Sequence, residues 1–242
     1  MSQDQRKLEL QRRASTGDPE AEAQLLLLKV RTGEIPIDYA RRAAALGDRR
    51  AQALGLSPWR VSNARYHRFM RSILRGLTDR SPESNDKKKR RLVESFAADV
   101  AERVLSKYEN RYPGDTRPRD AIEATRRWVE DPSEENQKAA NAAYSAADAA
   151  IDDAIHVLGA VDIYAASTIV ASARAATNAA DAVHCAIVAV RYRADDINIA
   201  DFTASACCRA RVAAGAAKRA AEQAWQKRRL IRYLLGDNTE KE

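Results

Sequence analysis

Cysteine, histidine, glycine and aromatic residues are scarce in this chain: 3 Cys, 3 His, 9 Gly and 6% aromatics in 242 residues. Each scarcity removes a class of protein. Cys185, Cys207 and Cys208 are odd in number, two are adjacent and none stands in CxxC spacing. That pattern excludes a disulfide framework and a zinc knuckle and reads as three small buried hydrophobes in a reducing compartment. Only His67, His156 and His184 are available as catalytic bases, and no GxSxG elbow, phosphate loop or dinucleotide fingerprint accompanies them. His184 precedes Cys185 directly, but neighbouring helical positions point about 100° apart, so the two do not form a nucleophile–base pair. Asp148, Asp152 and His156 share one helical face at i, i+4 spacing. The set is conceivable as a metal site and is also what a solvated polar stripe looks like, and the stripe is the simpler reading. The expectation is a non-enzymatic protein with no cofactor and no metal.

Long apolar runs are absent as well. The start, MSQDQRKLELQRR, is charged, and nowhere do ~18 strongly apolar residues follow one another, so neither a signal peptide nor a membrane span is expected, and the location is read as cytoplasmic. Strand-like alternation of β-branched or aromatic residues with polar ones is missing too. What the chain has instead is alanine, the best helix former and one that lets helix axes approach closely. The fold class expected is all-α: N-terminal helical hairpins followed by an Ala-rich long-helix bundle. By position, 1–80 reads as the helical-hairpin region with a basic amphipathic helix and 81–91 as a basic linker and helix start. The bundle then occupies 92–236, and 237–242 is a tail.

Local signals place the helices. Asp18 is an N-cap with Pro19 at the first helical position, where a missing N–H is harmless. Ala21, Leu25 and Leu28 supply a buried stripe up to Thr32 and Gly33. A third helix spans 37–46, and Gly47 with Asp48 repeats the Gly17 and Asp18 punctuation, a weak internal echo that fits stacked hairpins. From 58 to 77 the pattern is amphipathic, with Tyr66, Phe69, Ile73 and Leu77 on one side and arginines on another. Residues 78–86 read as a loop. A helix then opens at the Lys/Arg run and passes through Val93, Phe96, Val100, Val104 and Tyr108. Pro113 and Gly114 end it, Asp115 or Thr116 caps the next, and Ala121, Ile122, Thr125 and Val129 face inward. Ser133 caps the first of three Ala-rich segments, at 133–157, 161–192 and 199–235.

Charge is uneven. The net charge is +7. Residues 1–130 hold 28 basic against 19 acidic side chains, and residues 131–242 hold 13 against 15. Residues 57–91 alone carry 11 basic and 3 acidic groups. The partner-binding candidates are therefore Trp59, Arg65, Tyr66, Arg68, Arg71 and Arg75, followed by Lys87, Lys88, Lys89, Arg90 and Arg91. An acidic protein, nucleic acid or solvent alone each fits such a stretch, and affinity for a polyanion would fall steeply with salt. The oligomeric state is not encoded in any of these patterns.

A second charged group, Glu109, Arg111, Asp115, Arg117, Arg119 and Glu123, alternates in sign around one tight turn. It either locks two helices through paired charges or meets a partner. The strings that contain it, FAADVAERVL at 96–105 and YENRYPGDTRPRDAIEA at 108–124, resemble the signature of immunity proteins associated with bacterial polymorphic toxins. The Ala-rich region from about residue 139 and the closing Gln223, Ala224, Trp225 and Gln226 are similar to that family's later helices. The family often carries a His-rich segment where this chain keeps only His184. The resemblance implies a helical protein that neutralises or regulates a protein partner, a toxin or effector, by occluding its surface. Trp59, Tyr66 and Arg68 are the candidate anchors of such a surface. The alternative reading is a nucleic-acid-binding accessory protein using the basic 59–91 stretch.

Overall fold

The computed structural model describes residues 3–56, 66–78, 86–159, 203–204, 207–208, 210 and 218–237. Every element among them is helical: α1 (Gln3–Ser15), α2 (Pro19–Arg31), α3 (Ile37–Leu46), α4 (Arg49–Ala53), α5 (Tyr66–Thr78), α6 (Asp86–Glu109), α7 (Arg117–Glu130), α8 (Glu134–Gly159) and, at the end, α9 (Arg219–Leu235). No helix among the described residues is long and apolar enough to cross a membrane. Of the loop expected at 78–86, Thr78 ends α5 and Asp86 opens α6; residues 79–85, the helix expected at 161–192, Cys185 and His184 lie outside the described residues.

The chain forms two compact units, Met1–Ser62 with Trp225–Glu242, and Asn63–Ala224. In the first, α1 packs on α2, and both α2 and α3 pack on α4. Local chemistry sets these boundaries. The Asp18 carboxylate accepts from the backbone N–H groups of Glu20 and Ala21 at 3.0 and 3.2 Å, and Asp48 accepts from that of Ala51 at 2.9 Å. Each cap satisfies N–H groups the helix cannot, worth about 1 kcal/mol. Gly47 closes α3 at φ +103°, a left-handed conformation that costs a side-chain-bearing residue about 1–2 kcal/mol. The buried stripe of α2 differs from the expected one. Ala21, Ala23 and Leu26 are buried, while Leu25 and Leu28 are only half-buried. Four consecutive leucines have no phase of their own, so packing against α1 and α4 chose which one faces inward.

In the second unit α5 packs on α6, α6 on α7 and α7 on α8. α5 buries Tyr66, Met70, Ile73, Leu74 and Leu77, an i, i+4, i+7 stripe that keeps Tyr66, Ile73 and Leu77 of the expected face, while Phe69 is half-buried and Met70 and Leu74 lie inside. The inward positions expected on α6 (Val93, Phe96, Val100, Val104 and Tyr108) and α7 (Ala121, Ile122, Thr125 and Val129) are all buried. Alanine decides how close these helices come. Ala98 and Ala101 with Leu105 on α6, Ala121 with Ile122 on α7 and Ala147 on α8 form one core cluster. A methyl group at four of six positions leaves the larger Leu105 and Ile122 to fill the space between closely set backbones. Ser133 caps α8 as expected, its Oγ accepting from the Asn136 N–H at 3.3 Å. Cys207 is buried, and burial pushes its thiol pKa up, which keeps it unreactive. Cys208 is half-buried, less enclosed than the sequence reading had it.

Candidate partner-binding surface and the charged turn

α6 ends at Glu109 and the chain reverses through Pro113 and Gly114 into α7. Tyr108, 1% exposed, holds this corner from inside, packed against Ala150 of α8 with its ring 5.0 Å from that of Tyr112. Its hydroxyl donates to Asp115 at 2.6 Å. The same carboxylate accepts from the Arg117 backbone N–H at 3.1 Å and from the Arg117 guanidinium at 2.9 and 2.8 Å. Asp115 thus does the capping of α7, while Thr116, the N-cap by position, makes no side-chain cap hydrogen bond and instead donates from its hydroxyl to Asp120. Arg117 reaches further, to Asp153 of α8 at 3.1 Å.

The electrostatics follow from this geometry. The Arg117 guanidinium, helped by the Tyr108 hydroxyl, holds the Asp115 carboxyl down to about pKa 2. Burial, then the adjacent Asp115, pushes the Tyr108 phenol well above its usual value, and Asp115 raises that of Arg117. Two further arginines of α7 are also paired. Arg119 makes a two-pronged bond to Glu109 at 2.6 and 2.8 Å, and Arg126 reaches Asp99 and Glu102 of α6 at 2.9 and 2.6 Å. Arg103 of α6 pairs with Glu222 at the start of α9 at 2.9 Å. Of the six charges read from the sequence, Glu109, Asp115, Arg117 and Arg119 come together in this way. Arg111 and Glu123 are exposed and make no ion pair among the described residues. Tyr108, Asp153 and the Arg126 partners were not legible in the charge alternation. Tyr108 carried a signal only as a core residue, and Asp153 lies 36 residues from Arg117.

The basic stretch is arranged differently. Arg68 on α5 and Arg91 on α6 are exposed, and Arg71 and Arg75 are half-buried. Tyr66 is buried, its ring 6.3 Å from that of Phe69. It belongs to the apolar face of α5, and a ring packed there gives a partner no anchor. Trp59 and Arg65 lie outside the described residues, as do the side chains of His67, Lys87, Lys88, Lys89 and Arg90. The backbone of 87–91 opens α6, so this cation run stands at the positive end of the helix dipole. Cations there are unfavourable for the helix itself. Local stability therefore gives no account of the run. The side chains of Asp148, Asp152 and His156 are likewise outside the described residues, and Asp153 beside them is committed to Arg117.

No curated protein and no solved structure matches the chain. A family model described as "Imm-5 like putative immunity protein" matches residues 83–232, well over half of the sequence. The matched region takes in all of α6, α7 and α8 and most of α9, and so the entire charged turn with its Asp153 partner and the Arg103–Glu222 pair. By that match the chain belongs to the Imm-5 like family of immunity proteins.

Proposed function

We propose that this protein neutralises or regulates a partner protein, a toxin or effector, by covering its working surface, and that it performs no covalent chemistry in doing so. The family match over 83–232 is the observation that carries this reading. The bundle supports it physically. A surface that occludes another protein must keep its shape when it binds, because ordering mobile groups at the moment of association subtracts from affinity. Here α6, α7 and α8 are stitched by Arg117, Arg119 and Arg126 to carboxylates on neighbouring segments. The charged turn is read as a lock on that shape, since two of its three cations, Arg117 and Arg119, are already paired within the chain.

The contact itself is assigned to the basic stretch, Arg68, Arg71 and Arg75 on α5 and the Lys87 to Arg91 run that opens α6. The cation run placed against the helix dipole supports this. Affinity capture with the tagged full-length protein from its native lysate, with and without nuclease, tests the proposal. A stoichiometric protein that survives nuclease, and whose toxicity in a host cell is relieved by co-expressing this chain, is the expected result. Recovery of nucleic acid alone, lost to nuclease and to salt, would overturn it in favour of a nucleic-acid-binding role.

A further inference from the structure

In the unit formed by Met1–Ser62 with Trp225–Glu242, two glycine turns converge on one arginine. Gly47 ends α3 in a left-handed conformation and delivers Asp48; Gly236, at φ +73°, ends α9 and delivers Asp237. Arg50 binds both carboxylates, Asp48 at 3.0 Å and Asp237 at 2.9 Å. The three groups together pin the end of α9 to the start of α4, with one guanidinium shared between two carboxylates.

Beside this clamp runs a cleft of about 200 Å³ whose apolar lining is Ala14, Leu25, Leu26, Ile35 and Leu235. It shares Glu22, Lys29, Arg50 and Asp237 with a wider groove of about 830 Å³, so the two form one depression with an apolar end and a polar mouth. Among the described residues cations predominate at the mouth: Lys29, Arg49, Arg50, Arg228 and Arg232 line it against the carboxylates of Glu22, Asp48 and Asp237. Arg49 and Arg228 are exposed and make no ion pair among the described residues.

We infer that this groove is a docking site for an acidic segment of a protein partner that carries an apolar anchor residue. The anchor fills the apolar end and flanking carboxylates meet Arg49 and Arg228, with Lys29 beside them. A volume near 200 Å³ suits one leucine- or phenylalanine-sized side chain and is too small for a folded element. The excess of cations at the rim sets the sign of what enters and steers its approach. A bare polyanion would use the rim and leave the apolar end empty. Residues 1–56, which build most of the groove, lie outside the family match at 83–232. The inference thus assigns to this part of the chain a recognition element of its own, and it rests on the partner-binding reading above.

The test uses the full-length protein and a short fluorescein-labelled peptide with a central leucine flanked on both sides by glutamate and aspartate, followed by fluorescence anisotropy. Binding is expected to weaken about 10-fold when the peptide leucine becomes serine, and by about 10-fold or more in the double variant Arg49→Glu, Arg228→Glu. Both substitutions sit on exposed helical positions, Arg49 at the start of α4 where a glutamate suits the dipole, and circular dichroism of the variant should equal that of wild type. Three results overturn the inference: no peptide binding, equal binding by the variant, or an oligonucleotide that competes fully and makes the leucine irrelevant. If the variant still captures a lysate protein as wild type does, the groove assignment fails while the partner-binding reading stands. If wild type captures no protein, that reading itself fails.

Discussion

Replacing Asp115 with asparagine removes one charge from the corner between α6 and α7 and leaves its shape. Asparagine keeps an acceptor for the Tyr108 hydroxyl or the Arg117 backbone N–H, so the loss isolates the charge-dependent part of the interaction. That part can be sized. The Asp115 side chain is 17% exposed, and its pKa falls from 3.8 to about 2 in the folded chain. A drop of that size corresponds to about 2.5 kcal/mol of stability at neutral pH. Arg117 is 36% exposed, so solvent and salt screen part of it and about 1–2 kcal/mol is expected. For a chain of this length that lowers Tm by roughly 2–8 °C. The sign over pH follows from the depressed folded pKa. The stabilisation is complete above the unfolded value near 4, is about halved near pH 3 and is nearly gone by about pH 2. Urea unfolding of wild type and Asp115→Asn, followed by helical circular dichroism across this range, measures the gap directly. A gap absent at pH 7, or one that stays constant down to pH 2, refutes the assignment of Asp115 as a charged cap held by Arg117.

Three further outcomes follow from the same geometry. Tyr108→Phe deletes a buried hydroxyl bonded to Asp115 at 2.6 Å and should cost about 1–2 kcal/mol in urea unfolding while raising the Asp115 pKa, readable by carboxyl-carbon NMR. Ala147→Leu forces a larger side chain between α8 and the Ala101 and Ala121 backbones and should destabilise by about 1–3 kcal/mol, and a neutral result would mean the helices are not set as closely as alanine allows. Gly47→Ala places a β-carbon at φ +103° with open space around it. The expected cost is about 1–2 kcal/mol from backbone strain alone, and a stabilised variant in thermal denaturation would show that the turn relaxes out of the left-handed region.

Structure was legible in the sequence wherever neighbours along the chain supply the physics. Asp18 with Pro19, Gly47 with Asp48, and Ser133 mark helix ends because a cap needs only groups two or three residues away. The inward faces of α5, α6 and α7 were equally legible, since an apolar stripe at helical spacing has one way to be buried. The family, too, was visible in the strings that surround the charged turn. Tertiary structure decided everything that depends on which distant group arrives. Arg117 could not be assigned to Asp153, nor Arg126 to Asp99 and Glu102, because paired and solvated charges have the same periodicity. The Leu25–Leu28 run had no phase until a neighbour chose Leu26. Tyr66 read both as core and as anchor, and only packing on α5 placed it inside. The groove beside Arg50 was invisible for the same reason. Its walls come from the first residues of the chain and from the last, and neither end shows in its own sequence that the other will close it.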